Sequence, residues 1–438
     1  MSNTYQKTGR RCEPDRLPGE MTIPEQVVVS MAEIAESAKD GLLALAVGTG
    51  LQVMAAMFAE DAGRLCGPDG KHNPDRAGYR HGTGEGSVTL GGRRLPVTRP
   101  RVRAADGSGE LHLPSYGLFS STEILGRMAM EKMLAGLSSR RYPAGLEPAG
   151  QAVEQVAAAT SKSAVSRRFV AATETALGQL MTRRLDDLDL VALMIDGVHF
   201  GEHTCVVALG IDIEGVKRPL AVEEGSTENA TLVTDLVTGL RDRGLDVTRP
   251  ILAVLDGAKA LTRAVKDVFD KPLIQRCQQH KIKNVRDKLP ERLRAVAERR
   301  MRQAYHAEST LKAEGLLSEL AAELDKTHPG AAASLREGMA ETLTILRLGV
   351  PPTLARTLRS TNPIESMIEI CREHSKNVKR WRDGTMALRW CAAGMLEADH
   401  QFRRVNGHLH LPRLRAALDA SFTENVSAVS QNEDQKVA

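Results

Sequence analysis

Two short apolar runs that each end in Asp-Gly constrain the fold of this chain more than any other feature. They are VALMIDG at residues 191–197 and ILAVLDG at residues 251–257. Five apolar residues without a polar interruption are typical of a strand buried on both faces, not of an amphipathic helix. In α/β folds, ligand and metal sites gather where such strands end. We therefore expect the carboxylates of Asp196 and Asp256 to meet at one rim of a sheet.

Glu365 is the third candidate acid. It lies in the sequence TNPIES at residues 361–366, where an apolar pattern with helical spacing begins. Three carboxylates from separate elements make an oxygen-rich site of the kind that binds Mg²⁺ or Mn²⁺. Taken singly, each acid has a simpler explanation, because Asp before Gly is common in turns and Glu is favoured in the first turn of a helix. Their combination, and not any one of them, indicates a catalytic site.

The segment from residue 189 to residue 280 has the pattern of a mixed α/β sheet. Three successive strands followed by alternating helices and strands favour an RNase H-like mixed sheet of five strands. Residues 281–348 show helical spacing and many charges, which predicts an all-helical insertion between Asp256 and Glu365. Helical spacing resumes over residues 362–404. The predicted strands cover residues 188–197, 205–212, 218–222, 251–256 and 272–276, and the predicted helices between them cover residues 231–243 and 258–269.

An arginine-rich, β-prone region lies near the start of the chain. The pieces SVTL and LPVT, at residues 87–90 and 95–98, flank Gly91-Gly92, which predicts a hairpin. Between residues 76 and 103 there are seven arginines and one acid, Glu85. Guanidinium groups pair with phosphate oxygens, so a contact with the DNA backbone and a solvated surface hairpin both stay open. The candidate DNA contacts are Arg80, Arg93, Arg94, Arg99, Arg101 and Arg103.

A second candidate DNA-binding region is helical. Residues 160–169, TSKSAVSRRF, place small hydroxylated residues at a helix start and two arginines one turn later. This suits the recognition helix of a helix-turn-helix unit, although an ordinary capped surface helix has the same composition. The residues concerned are Lys162, Ser163, Ser166, Arg167 and Arg168. A basic helical face further along the chain adds Lys376, Lys379 and Arg380.

The overall composition neither requires nor excludes nucleic-acid binding. The 438 residues carry a net charge of only +4, so binding has to be argued from where the basic residues lie. Six scattered cysteines form no disulfide framework and indicate reduced thiols. The polar start of the chain does not resemble a signal peptide, and no apolar run approaches the roughly 20 residues of a membrane span. We expect a cytoplasmic protein.

An ordered set of motifs resembles the Mutator-type bacterial insertion-sequence transposases, a branch of the DDE transposases. The set comprises IDG at residues 195–197, LDG at 255–257, RCQQHK at 276–281 and NPIE at 362–365, and the likeness extends from about residue 70 to 415. A single Asp-Gly is no signal, whereas this order with Cys-x-x-His after the second Asp is highly specific. The resemblance puts the family's catalytic acids on Asp196, Asp256 and Glu365.

The resemblance also implies a mechanism and partners. In such enzymes an RNase H-like core uses two divalent ions, Mg²⁺ or Mn²⁺, held by the three carboxylates. The activity would be DNA cleavage and strand transfer at terminal inverted repeats, on double-stranded transposon and target DNA in the bacterial nucleoid. A homodimer would pair the two transposon ends. The alternative is a transposase-derived, sequence-specific DNA-binding protein without catalysis.

Five further residues are predicted to support the three acids. Cys277 and His280 have the spacing of half a zinc site, but no second pair lies nearby, and the resemblance puts them beside the active site. His199 would contact the scissile phosphate or simply pack at a strand end. Asn362 would orient the third acid or touch DNA. Arg372, two helical turns beyond that acid, would hold a terminal phosphate or lie on a solvated basic face.

These predictions divide the chain into seven segments. They are an N-terminal helical region at residues 1–66, a basic β-rich DNA-binding region at 67–118, a helix-turn-helix-like region at 119–188, the first part of the catalytic core at 189–280, the all-helical insertion at 281–355, the second part of the core with the Glu365 helix at 356–405, and a C-terminal tail at 406–438.

Overall fold

The computed structural model describes residues 42–422, except residues 69, 72, 148, 150 and 228. The predictions for residues 1–41 and 423–438 lie outside this described part. The chain divides into two compact units. One consists of the residues up to 125 together with residues 143–164, and the other of residues 126–142 together with those from 165 onward.

The first unit packs a long helix against a three-stranded antiparallel sheet. The predicted hairpin turn is confirmed, because Gly91 and Gly92 connect the first two strands with φ angles of 57° and 78°, which glycine adopts at little cost. Phe58 of the helix shares a core with Val88 and Val102 of the sheet. The elements are α1 (Leu42–Cys66), β1 (Gly78–Leu90), β2 (Arg93–Ala104), β3 (Glu110–Leu111) and the short helix α2 (Pro114–Ser120).

Three more helices precede the second sheet. They are α3 (Glu123–Leu134), α4 (Gln151–Val156) and α5 (Lys162–Thr182). Helix α5 buries Val165, Phe169 and Thr173 on one face, at the spacing that an amphipathic helix requires.

The second unit is built on a mixed five-stranded sheet, which confirms the prediction of a mixed α/β fold. The order is β6-β5-β4-β7-β8, antiparallel across β6, β5 and β4 and parallel across β4, β7 and β8. The two apolar runs thus form neighbouring strands at the centre of the sheet. The strands are β4 (Leu190–Phe200), β5 (His203–Asp212), β6 (Lys217–Glu224), β7 (Ile251–Leu255) and β8 (Pro272–Arg276), and helices α6 (Ala230–Asp242) and α7 (Lys259–Val268) cover one face.

The connection from β8 to the last part of the core is helical, as predicted, and has a hydrophobic core of its own. Gln275 of β8 anchors it, because its side-chain amide donates to the Thr342 carbonyl at 3.0 Å and its side-chain oxygen accepts from the Ile345 N–H at 2.8 Å. The helices are α8 (Gln278–Arg286), α9 (Glu291–Tyr305), α10 (Thr310–Asp325), α11 (Pro329–Arg336), α12 (Met339–Thr342), α13 (Thr344–Arg347) and α14 (Pro352–Leu358).

The final helices cover the opposite face of the sheet. Helices α15 (Asn362–Ser375) and α16 (Gly384–Gln401) pack with Met194 and Val254 of the central strands. Gly394 of α16 permits a close approach to α15, since a Cβ atom there would lie 2.8 Å from the Cα of Cys371. Both faces of the sheet are therefore covered, which explains why its central strands are apolar without alternation.

Two features differ from the sequence predictions. The helical pattern expected over residues 362–404 is interrupted at residues 376–383. A separate helix begins after the interruption, where the Asp383 side chain caps it by accepting a hydrogen bond from the Met386 N–H at 2.7 Å. The tail expected from residue 406 does not start there. Residues 411–422 are helical, and Leu411, Leu414 and Leu418 belong to the core under α15 and α16. No helix in the described ranges is long and apolar enough to cross a bilayer.

Candidate active site

Asp196 and Asp256 lie at the same level of two neighbouring parallel strands. The register pairs Met194 of β4 with Val254 of β7, and each aspartate follows two residues later. Alternate residues of a strand point to the same face. Because Met194 faces the core under α15, the half-buried Asp196 carboxylate is on the side of the sheet that α15 covers. Asp256 is also half-buried, directly follows the last residue of β7, and lies close enough for its charge to act on Asp196.

Helix α15 carries Glu365 in its first turn. Ile364, Met367 and Ile368 are buried in the core against the sheet, and their spacing fixes which face of the helix looks inward. Pro363 stands near the start of the helix, where the missing N–H of proline is tolerated. The half-buried Glu365 thus approaches the rim at which β4 and β7 deliver the aspartates.

Thr361, immediately before α15, connects Glu365 to His280. The Thr361 hydroxyl donates to Glu365 Oε1 at 2.6 Å and lies 3.3 Å from His280 Nδ1. His280 Nε2 is 3.8 Å from the same Glu365 oxygen. Thr361 is fully buried, whereas 42% of the Glu365 side chain is exposed. Asn362, which was predicted to orient the third acid, is exposed, and the neighbouring threonine makes the contact instead.

The Cys-x-x-His motif forms the first turn of α8. The Cys277 sulfur caps this helix by accepting a hydrogen bond from the backbone N–H of His280 at 3.5 Å, and it lies 3.4 Å from the oxygen of the Thr361 hydroxyl. The spacing of these two residues thus corresponds to one capped helical turn that holds the imidazole against Glu365.

The charges of the site are strongly coupled. Burial, with smaller contributions from the charges of Asp256 and Glu365, raises the pKa of Asp196 to about 6, while the hydrogen bond from the Gly197 N–H and the charge of His280 oppose the rise. The pKa of His280 is raised to about 9, chiefly by its hydrogen bond with Cys277, with burial opposing and the charges of Glu365 and Asp196 adding. His280 is therefore a cation at neutral pH, facing the carboxylates.

The donor chemistry of the three acids fits a hard divalent cation, because carboxylate oxygens are its preferred ligands and a cation would offset their mutual repulsion. Within the described residues, however, no three His, Cys, Asp or Glu side chains form a group arranged to hold a metal ion. Glu365 is instead hydrogen-bonded to Thr361. The acids converge on one rim without forming a ligand set.

An open cleft of about 1040 Å³, here called the catalytic cleft, contains Asp196 and Glu365. Four other predicted residues also line it: His199, whose Nδ1 lies 2.9 Å from the Thr204 hydroxyl, His280, and the exposed Arg372 and Lys376. Asp256 is not among its lining residues. Lys283, which the sequence reasoning did not single out, adds another cation to the wall.

Comparison with known proteins identifies the family. The profile described as "Transposase, Mutator family" matches residues 21–405. The chain belongs to this family. The resemblance inferred from the ordered motifs is thereby confirmed.

Individual relatives of this Mutator-family chain are named as insertion-sequence transposases. That of IS6120 from Mycolicibacterium smegmatis is 32% identical over 203 residues, 45% of this chain and 62% of that protein. That of ISRM5 from Rhizobium meliloti is 26% identical over 403 residues, 90% of this chain and 97% of that protein. That of IST2 from Acidithiobacillus ferrooxidans is 29% identical over 174 residues, 40% and 58% of the respective chains. The matched regions thus cover less than two thirds of the length of the IS6120 and IST2 proteins, and nearly all of the ISRM5 protein.

The hairpin arginines of this Mutator-family chain differ in how exposed they are, and the less exposed ones contact other parts of their own unit. Arg93 is only 6% exposed and donates to the Glu147 carbonyl at 2.8 Å, and Arg94 donates to the Ser120 carbonyl at 2.5 Å. Arg99 and Arg101 share the Glu110 carboxylate at 3.0 and 2.7 Å. Of the six candidates, Arg80 and Arg103 are the exposed ones.

The predicted recognition helix is helix α5. Lys162, Ser163, Ser166 and Arg167 lie exposed on its first turns, and Arg168 is half-buried. Lys379 and Arg380 are exposed on the connection between α15 and α16 instead of on a helix.

Proposed function

We propose that this chain is a DDE-type transposase that cleaves DNA at the terminal inverted repeats of its insertion sequence and joins the ends to target DNA. The observation that carries the proposal is the convergence of Asp196, Asp256 and Glu365 at one rim, in a member of a transposase family. The strand order, three antiparallel strands continued by two parallel ones, supports an RNase H-like core.

The three carboxylates would hold two Mg²⁺ or Mn²⁺ ions. Such a pair supplies activation of a water or 3′-hydroxyl nucleophile and stabilises the leaving oxygen of an in-line displacement. The remaining residues position the reactants. Thr361 and His280 hold the Glu365 carboxylate, and Lys283, Arg372 and Lys376 place cations on the wall of the cleft, where they could contact the oxygens of a phosphodiester.

DNA would be held first through the exposed arginines of the hairpin and the start of α5, with a homodimer pairing the two transposon ends in the bacterial nucleoid. The arginines of the hairpin differ in exposure. Arg93 and Arg94 are little exposed and donate to carbonyls of their own unit, whereas Arg80 and Arg103 are exposed and are the better candidates for phosphate contacts.

The test uses labelled terminal-repeat DNA with Mg²⁺, and compares the parent chain with Asp196→Asn and Glu365→Gln. We expect end-specific nicks and joined products from the parent and neither from the variants, while DNA binding is retained. Asp267→Asn and Glu319→Gln, which make the same changes at exposed positions of α7 and α10, serve as controls and should react like the parent.

Two outcomes would contradict the proposal. Binding to the terminal repeats without cleavage by the parent would favour the transposase-derived DNA-binding protein. Equal product yields on unrelated duplexes would favour a general RNase H-like nuclease.

A further inference from the structure

A second cavity of about 310 Å³ lies next to the catalytic cleft in the second unit, and we call it the basic cavity. Consecutive residues line the cleft and the basic cavity, since Lys376 belongs to the cleft and Asn377 to the cavity. The cleft contains four carboxylates, whereas none of the residues lining the basic cavity is acidic. Its polar lining comprises Lys379, Arg380, Arg382, Arg389 and the serines 138, 139 and 166.

The interruption between α15 and α16 forms one wall of the basic cavity. Asn377 holds this connection in place, because its side-chain amide donates to the carbonyls of Met133 at 3.1 Å and Leu137 at 3.2 Å. In a continuous helix, Lys379 and Arg382 would share a face, but Arg380 would point about 100° away from Lys379. The non-helical connection instead brings all three to the same cavity.

Arg389 places a buried cation in the opposite wall. Its side chain is on α16 and only 4% of the residue is exposed. One hydrogen bond is made, from Nη1 to the Thr173 hydroxyl at 3.2 Å, and the Glu174 carboxylate is 3.9 Å from Nε. Among the described residues Nε has no hydrogen-bond partner. The mostly exposed Glu174 offsets this charge only in part at that distance, and the buried guanidinium keeps an N–H donor for a further partner.

A second acid lies near the basic cavity. Asp383 pairs with Arg382 at 2.9 Å through one oxygen, and its other oxygen caps α16 through the Met386 N–H. Within the described residues no acid forms an ion pair with the exposed Lys379 or Arg380, so four cations face two neighbouring acids and the cavity keeps a surplus of positive charge next to three serine hydroxyls. Guanidinium, ammonium and hydroxyl donors are the groups that proteins use for phosphate oxygens.

We propose that the basic cavity binds backbone phosphates of a single DNA strand that leaves the catalytic cleft. The cavity is too small for a duplex, whose major groove alone is about 12 Å wide, and its donors match phosphate instead of base edges. This inference rests on the proposed function for the presence of DNA but not on the chemistry of cleavage. It assigns binding roles to Ser138, Ser139, Ser166, Arg382 and Arg389.

The two tryptophans of the chain make the basic cavity observable without catalysis. Trp390 lines it, and Trp381 lies beside Trp390 with a ring-centroid distance of 6.3 Å. The full chain, without divalent ions, is titrated with a thymidine tetranucleotide while tryptophan fluorescence is followed. Parallel arms use a tetranucleotide backbone lacking bases and inorganic phosphate. We expect the tetranucleotide and the backbone without bases to give saturable signals with similar affinity. Inorganic phosphate should bind with much lower affinity.

The variant Lys379→Gln/Arg380→Gln should weaken oligonucleotide binding about tenfold or more and reduce the slope of log affinity against log salt by about 0.7 for each lost contact. Both side chains are exposed, so folding should be unaffected, as thermal unfolding will check. Arg241→Gln, an exposed arginine of α6, is the matched control and should bind like the parent.

The inference is overturned if the oligonucleotide leaves the fluorescence unchanged, if the bases are required, or if the double variant binds like the parent. Since no cleavage is measured, these results are independent of the transposase proposal. A chain that cuts terminal repeats but fails this titration would keep its function and lose this site. Tight binding of inorganic phosphate alone would indicate an anion site unrelated to DNA.

Discussion

At the scale of the residue, the position of Glu365 depends on a threonine that carries no charge. Thr361 donates to the carboxylate and lies against both His280 and Cys277, so one hydroxyl joins the start of α15 to the start of α8. Groups that orient catalytic carboxylates act through the angle and the basicity of the acid they hold. Thr361 is accordingly a positioning residue in the proposed mechanism.

Thr361→Val keeps the shape of the side chain and removes its donor. We expect the rate of terminal-repeat cleavage to fall about 10- to 100-fold, with a higher Mg²⁺ requirement, because Glu365 loses its hydrogen bond. Cleavage rates at several Mg²⁺ concentrations provide the measurement. Thr361→Ser retains the hydroxyl and should recover most of the rate; if the valine variant cuts as fast as the parent, Thr361 does not position Glu365.

At the scale of the element, the turn after β7 joins the second aspartate to the end of β8. Asp256 Oδ1 accepts a hydrogen bond from the Ala258 N–H at 2.8 Å, and Gly257 between them has a φ of +109°. A Cβ atom on Gly257 would lie 2.2 Å from Nε of the buried Arg276. Both the backbone conformation and the space therefore require glycine at this position.

Gly257→Ala tests this turn. We expect the free energy of unfolding to fall by about 1–3 kcal/mol or more, because an unfavourable backbone conformation and a displaced Arg276 add together. Chemical denaturation measures the change. Gly239→Ala is the control: this glycine lies inside α6, a Cβ atom there would meet none of the described residues within 4 Å, and alanine should stabilise the protein by about 0.5–1 kcal/mol. Equal effects at the two sites would refute the argument.

At the scale of the whole molecule, the segment that closes the core lies near the end of the described chain. Leu411, Leu414 and Leu418 pack under the sheet, and Arg415 donates to Asp189 at 2.7 Å and to the Leu190 carbonyl at 2.6 Å. This segment lies beyond residue 405, where the family match ends. It nevertheless completes the face of the sheet that α15 covers.

Leu414→Ala should lower the free energy of unfolding by about 2–5 kcal/mol, since a fully buried leucine leaves a cavity. Urea unfolding of the full chain measures it. The exposed neighbour substitution Arg413→Ala should change stability by no more than about 0.5 kcal/mol. If both variants unfold like the parent, residues 411–418 do not hold the core together.

Local patterns were sufficient for much of this architecture. All five strands of the second unit lie within three residues of their predicted bounds, because runs such as VALMI are buried on both faces and have no competing helical pattern. The contacts of Thr361 with His280 and Cys277 could not be predicted, because they depend on how α8 and α15 meet in space. The helix at residues 411–422 was missed although its leucines have helical spacing, and the cap at Asp383 was missed inside a long helical pattern.

The placement of the closing segment has a consequence for the growing polypeptide. The five strands are complete at Arg276, but their second face stays uncovered until α15, α16 and the leucines up to Leu418 have been made. Those 142 residues take roughly 7–28 s at ~5–20 residues per second. For that interval the nascent chain exposes one apolar face of the sheet, a surface of the kind that chaperones shield from aggregation.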